Sequence, residues 1–382
     1  MDLAGGSTTV EDLIVLAEGA ASAVQEGVRT HGAGRTAEAL LTEVADRARL
    51  FPSPQGEVPV QFDLGFAGQR LGFSLTAGPG SVKLAGGWLP DPSVIIRQDL
   101  LELLREVYGP AGRRHATREV HVAARPPMPG LAADDPIAQH FNNAQLATRQ
   151  VIAALTQPPD DLTELAVRFG SDKWGHHWYT PNYQRYLAPY REDRVKILEL
   201  GVGGYDRPDV GGASLRMWKH YFRRGLVYGL DIFDKSGIAE PRLRTIRGDQ
   251  SDAASLAELG GDLGPFDIVV DDGSHLNPHV ITSFHALFQH VRPGGLYVIE
   301  DVQTSYWPGW GGNSTDLNDP ATTMGLVKQL IDGLNHQDLV RNGEYEPTYT
   351  DRTVTGVFAH HNMVVIEKGL NTEQPAPASI PR

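Results

Sequence analysis

Apolar positions along this chain change period more than once, and each change marks a new kind of structure. Residues 7–29 (STTVEDLIVLAEGAASAVQEGVR) open with Ser and Thr cap candidates, place Glu11 in the first turn and continue at helical spacing, which predicts one amphipathic helix. A second short helix is expected near 36–48. VPVQFDL and RLGFSLTAG then show partial alternation broken by glycine, and RQDLLELLREVYG at 97–109 returns to helical period. These segments predict a small α+β unit over residues 1–125.

RPPMPGLAADDP (125–136) is proline-rich and has no period, so it reads as a boundary, with 126–160 a linker followed by a helix from about 139. After a further helix at 161–169, a strand-then-helix rhythm begins at Val195 through VKILEL, LVYGLDI, LRTIRG, FDIVVDD and LYVIED. That rhythm predicts parallel strands joined by right-handed crossovers in an open α/β sheet over 161–369. In TVTGVFAHHNMVVIEKG only HHN separates two β-rich runs, too little for a crossover helix, so the last strand is expected to run antiparallel. The polar, proline-containing stretch 370–382 reads as a flexible tail.

Composition narrows the function classes. The 382 residues are 41% hydrophobic and 21% charged, the balance of a globular protein, with a net charge of −13 that repels a phosphate backbone; nucleic acid is not an expected partner. Cysteine is absent, which removes disulfides, thiolate nucleophiles and zinc–thiolate sites, so any metal must take oxygen or nitrogen ligands. The first residues carry acid in place of a basic leader and no apolar run reaches membrane-spanning length, which leads us to expect a cytoplasmic protein without a membrane partner.

Candidate chemistry gathers at the ends of the predicted strands. The first ends in ELGVGG (199–204), where Gly201 and Gly203 allow the backbone to approach a ligand closely. A glycine-rich turn with no ligand has the same look. The next strand ends in Asp231, a carboxylate placed to accept both ribose hydroxyls of an adenosine, and Glu199 suits a ligand with an ammonium group better than a pyrophosphate. S-adenosylmethionine has that ammonium and no phosphate. In GDQSD (248–252), Asp249 and Gln250 are candidates for an adenine edge, or for a polar helix cap. Strand four ends in Asp271 and Asp272 with His275 three residues on, and strand five ends in Glu300 and Asp301. If the two strands are neighbours, Asp272, Glu300 and Asp301 face one point, and a hard divalent cation such as Mg²⁺ relieves their repulsion. Each acid taken alone is also what a solvated loop carries. His275 is then the candidate general base, because a neutral imidazole can take a proton from a hydroxyl whose pKa the cation lowers; His279 and His285 read as helix residues.

At these residues the chain resembles the metal-dependent O-methyltransferases that act on sugars of macrolide and polyketide antibiotics, the macrocin and mycinamicin type. The resemblance spans about 160–368 and is carried by GSDKWGHHWYTPNY (170–183), KILELGVGGY, GGASLRMWKHYF, YGLDIFDKS, GDQSD, DDGSH (271–275) and YVIEDVQTSYW. It implies a Rossmann-like methyltransferase sheet, mostly parallel with an antiparallel C-terminal strand, beside a smaller N-terminal auxiliary domain. It also implies magnesium at Asp272, Glu300 and Asp301, a base at His275, and cofactor contacts at Ser171, Glu199, Ser214, Asp231, Asp249, Gln250 and Asp272. A small-molecule glycoside substrate and a homo-oligomer, tetramer or dimer, belong to the same expectation. Trp307 and Trp310, in the loop after the acids, are candidates to stack on a sugar or aglycone, or to be packing anchors. Rival readings are a cephalosporin-hydroxylase-associated type of methyltransferase, an NAD-dependent nucleotide-sugar oxidoreductase, which would need a GxGxxG turn that GVGGYD does not supply, and a non-catalytic binding module.

Overall fold

The computed structural model describes residues 8–124, 132, 134–158, 160–340 and 345–372, and the chain divides into two compact units, 1–160 and 161–382. Most of the proline-rich boundary, 125–136, lies outside the described residues, as do 373–382 of the expected tail. Among the described residues no helix is long and apolar enough to cross a membrane.

The first unit begins with α1 (Thr8–Leu16), α2 (Ala21–His31) and α3 (Ala33–Ala48). The single helix expected over 7–29 is thus two, because the chain turns at Gly19, whose N–H returns to Leu16 O (2.9 Å). Gly27 then lets α2 pack down on α1: a Cβ there would stand 2.4 Å from Leu16 Cδ1. Strands β1 (Val58–Phe66), β2 (Gln69–Gly78), β3 (Ser81–Gly86), β4 (Val94–Asp99) and β5 (Arg118–Val122) form a sheet in the order β3-β2-β1-β4-β5, parallel only between β1 and β4. Helical period from Arg97 misled the expected boundary. Asp99 ends β4 and caps α4 (Leu100–Tyr108), accepting the N–H groups of Leu101 and Glu102. Helix α5 (Pro136–Thr156), capped by Asp135, belongs to this unit as well, where Gln150 Nε2 donates to Ala48 O at 3.0 Å.

The second unit opens with α6 (Leu162–Phe169) and α7 (Thr180–Leu187), then alternates β6 (Lys196–Leu200), α8 (Ala213–Tyr221), β7 (Leu226–Asp231), β8 (Leu243–Arg247), α9 (Ala253–Leu263), β9 (Phe266–Asp271), α10 (Asn277–Leu287) and β10 (Val291–Glu300). After α11 (Thr323–Leu334) and α12 (Tyr349–Thr353), the chain ends in β11 (Val354–His360) and β12 (Met363–Lys368). The sheet order is β11-β12-β10-β9-β6-β7-β8. All neighbours are parallel except β12, which runs antiparallel between β10 and β11 and so meets the expectation for the last strand. Strand order reverses between β6 and β9, and the crevice at that switch point is where open α/β sheets bind ligands. Under it Leu198, Val270 and Val298 are enclosed, and Trp218 is fully buried against Tyr183 with ring centroids 4.8 Å apart.

Candidate active site

A cleft of about 750 Å³ opens at the carboxyl ends of β6, β7 and β9. Of the residues expected there, Ser171, Gly201, Gly203, Ser214, Asp231, Asp249, Gln250, Asp272, His275 and Asp301 all line it. Its floor depends on Gly201, which has φ +89 and whose Cβ would come 2.1 Å from Asp272 O. Only glycine meets both demands. Gly203 follows with φ +76. Asp231 is oriented from both sides, its Oδ2 accepting Val202 N–H and its Oδ1 accepting Phe233 N–H, each at 2.9 Å, so its remaining lone pairs are fixed in direction. Asp249 accepts the N–H and hydroxyl of Ser251, which hold its carboxyl below the usual range.

Two expected cofactor contacts have other partners. Gln250 donates through Nε2 to Asp271 Oδ1 (2.6 Å) and Ser283 Oγ (3.2 Å) and accepts Ser274 N–H through Oε1 (2.8 Å), so its amide braces the DDGSH turn. Glu199 is fully enclosed and does not line the cleft. Its Oε2 accepts Ser214 Oγ (2.8 Å) and Trp218 Nε1 (3.1 Å), while Oε1 lies 3.1 Å from Lys173 Nζ without a well-aligned hydrogen bond. Burial pushes its carboxyl up to about 7 against the pull of Lys173. Strand β6 turns Glu199 into the core, and Ser214, which donates to it, is the one of the pair that lines the cleft.

The acid cluster forms across β9 and β10, which are neighbours as the expectation required. Among the described residues, Asp272, His275 and Asp301 offer ligand atoms within 4.8 Å of one another. His275 Nε2 stands 3.4 Å from Asp301 Oδ2 and 4.0 Å from Asp272 Oδ1, while its Nδ1 is buried without a partner. His275 (φ 55) and Asp301 (φ 54) both occupy the left-handed region, a strain that persists only where surroundings enforce it. Glu300 is not in this trio. Its Oε1 accepts Lys173 Nζ (2.7 Å) and the Tyr183 hydroxyl, and burial with the charge of Asp272 raises its pKa. Asp271 alternates to the far side, held by Gln250, Ser283 and Tyr297, and burial pushes it up to about 6.

Lys173 is the site residue that sequence reasoning missed. Its side chain is wholly buried among Asp272 Oδ2 (2.7 Å), Glu300 Oε1 (2.7 Å) and Glu199 Oε1 (3.1 Å). Burial alone would lower its pKa, but the three carboxylates outweigh it and keep the ammonium charged. In sequence it reads as one more polar residue of a loop, and its only flag is its place among the aromatics of GSDKWGHHWYTPNY. Trp307 and Trp310 pair edge to face at 5.4 Å, 46% and 40% exposed, outside the residues that line the cleft.

These features fit an S-adenosyl ligand and a hard cation: a backbone cradle that a Cβ would fill, a ribose-type carboxylate, and converging carboxylate oxygens beside a partnerless imidazole nitrogen. Comparison with known proteins agrees. Residues 10–118 match the family model described as MycE methyltransferase N-terminal. Demethylmacrocin O-methyltransferase of Streptomyces fradiae is 45% identical over 387 residues, covering 98% of this chain and 95% of that protein. Mycinamicin VI 2''-O-methyltransferase of Micromonospora griseorubida is 41% identical, with 98% and 94% covered. The solved structure of MycE methyltransferase from the mycinamycin biosynthetic pathway, in complex with Mg, SAH and mycinamycin VI, superposes with a TM-score of 0.86 at 40% identity, covering 99% of this chain and 97% of that one.

Proposed function

This chain belongs to the O-methyltransferases of macrolide and polyketide antibiotic sugars, and from that premise we propose that it methylates a sugar hydroxyl of a glycosylated natural product. S-adenosylmethionine supplies an electrophilic methyl group when bound, and a divalent cation, Mg²⁺ in the first instance, lowers the pKa of the acceptor hydroxyl. Asp231 accepts the ribose hydroxyls with the lone pairs left by Val202 and Phe233. Ser171, Gly201, Gly203 and Ser214 line the remainder of the cofactor's place, with Asp249 at the adenine end. Asp272 and Asp301 would hold the cation, with Glu300, one of whose oxygens Lys173 and Tyr183 already engage, as the third acid beside them. His275 takes the hydroxyl proton at Nε2, where the resulting imidazolium sits beside Asp301 and Asp272. Trp307 and Trp310 offer exposed rings to the sugar or its aglycone. Assembly as a homo-oligomer, tetramer or dimer, in the cytoplasm completes the reading.

The observation that carries this proposal is that Asp272 and His275 belong both to the cofactor cleft and to the acid cluster, so methyl donor and activated hydroxyl meet at one sheet edge. Calorimetric titration with S-adenosylmethionine and with NAD, paired with turnover before and after exhaustive chelation, tests it. Binding of the first ligand alone and a rate that vanishes on chelation and returns with Mg²⁺ are expected. Full activity without a cation would refute the metal's part, and NAD binding the cofactor's.

A further inference from the structure

Each of the two acids nearest His275 has one oxygen held from behind. Asp301 Oδ1 accepts the Tyr179 hydroxyl at 2.6 Å, which leaves Oδ2 turned toward His275. Asp272 Oδ2 accepts Lys173 Nζ at 2.7 Å, which leaves Oδ1 turned the same way. Both donors come from one strap between α6 and α7, and neither is exposed: Lys173 is fully buried and Tyr179 is 2% exposed, its ring stacked on His177 at 4.7 Å. Asp301 needs such restraint more than most residues, because its backbone is in the left-handed region and offers no regular strand pairing to fix it.

We propose that Tyr179 and Lys173 are positioning residues for the cation site, holding the rear oxygens of Asp301 and Asp272 so that each acid presents one defined oxygen to the ion. Neither touches the reacting atoms. A carboxylate free to rotate spends only part of its time aimed at a shared point, and removal of an outer donor of this kind typically costs about 10–100-fold in metal affinity or activity. The strap also carries Ser171, which lines the cofactor cleft, so one short segment contacts both ligand places. The proposal rests on the functional reading above and extends it to residues outside the ligand set.

Mn²⁺ serves as the probe, titrated by electron paramagnetic resonance into the full-length protein without cofactor. Tyr179→Phe removes one oxygen and leaves the ring stacked on His177, and Lys173→Met tests the Asp272 side of the site, where Lys173 also holds Glu300. For Tyr179→Phe we expect a Mn²⁺ dissociation constant raised about 10–100-fold, near-parental near-ultraviolet dichroism, and a rate at saturating metal within a few-fold of the parent. A purely structural hydroxyl would lower the thermal midpoint and leave metal affinity alone. Parental affinity in folded Tyr179→Phe overturns the proposal for Asp301, and parental affinity in Lys173→Met overturns it for Asp272. A parent protein that binds no Mn²⁺ would instead sink the functional reading.

Discussion

At the scale of single residues, the strain at His275 has a testable counterpart in catalysis. His275→Ala should cut turnover by roughly 10²–10⁴-fold while leaving S-adenosylmethionine and metal binding intact, because a base acts on the acceptor proton and holds neither ligand. Turnover at saturating cofactor, measured through a metal titration, separates the cases: recovery at high Mg²⁺ would make His275 a ligand, and a rate within a few-fold of the parent would leave it no part in the chemistry. Asp231→Ala should weaken S-adenosylmethionine by about 1–3 kcal/mol, the cost of a lost charge-assisted bond, and calorimetry on the folded variant reads it directly. Residues at or just past strand ends, such as Asp231, Asp272 and His275, could be placed at the cleft because position along a strand predicts the sheet edge. Lys173 was not legible in this way, nor were the enclosed hydrogen-bond partners of Glu199 and Gln250. Their partners lie far along the chain, Lys173 with Glu300 and Gln250 with Asp271, and no local pattern announces which polar side chain will be enclosed.

At the scale of elements, the pattern foretold the parallel strands well, since β6, β7, β9 and the LYVIE half of β10 are mostly buried on both faces and hold short apolar runs such as LVY, IVV and LYVI. Period-two reading failed for β3 and β5, whose side chains are mostly exposed or half-buried and leave no buried face to alternate with. Short α12 was also missed, although a capping box defines it: Thr348 Oγ1 accepts Asp351 N–H at 3.1 Å, and Asp351 Oδ2 accepts Thr348 N–H at 2.8 Å. Burial would raise the Asp351 carboxyl, but Tyr345 and Thr348 hydrogen bonds outweigh it and hold it below the usual range. A carboxyl lowered on folding stabilises above its unfolded value of about 3.9 and loses that contribution as pH falls through the folded one. Asp351→Asn should therefore cost on the order of 1 kcal/mol near neutrality, with the gap to the parent closing below about pH 4. Denaturant melts of both proteins across that range check it, and a gap that does not depend on pH would remove the charge from the explanation.

At the scale of the molecule, every residue that lines the cofactor cleft lies in the second unit, between Gly170 and Asp301. Deleting the expected auxiliary domain, 1–125, should spare S-adenosylmethionine binding and damage assembly or turnover. The structure draws the unit boundary at Asp160, after α5, so a deletion of 1–160 avoids stranding that helix and is the sharper version of the test. Native mass by light scattering together with a native rate in the truncated protein would deny the first unit either role. The two-unit organisation was visible as a change of rhythm near the prolines, whereas the side to which α5 belongs depends on packing with α3 that no spacing encodes. The placement of β12 has a consequence for synthesis. Strand β10, which ends in Glu300, pairs on one side with β9 and on the other with β12, with Glu300 opposite Met363 and Val298 opposite Val365. While the ribosome is still adding the intervening residues, that second edge has its N–H and C=O groups open to any passing strand. Glu300 therefore lies on a strand whose second neighbour is translated some sixty residues later, and a nascent chain stalled before Met363 presents β10 as an adhesive edge.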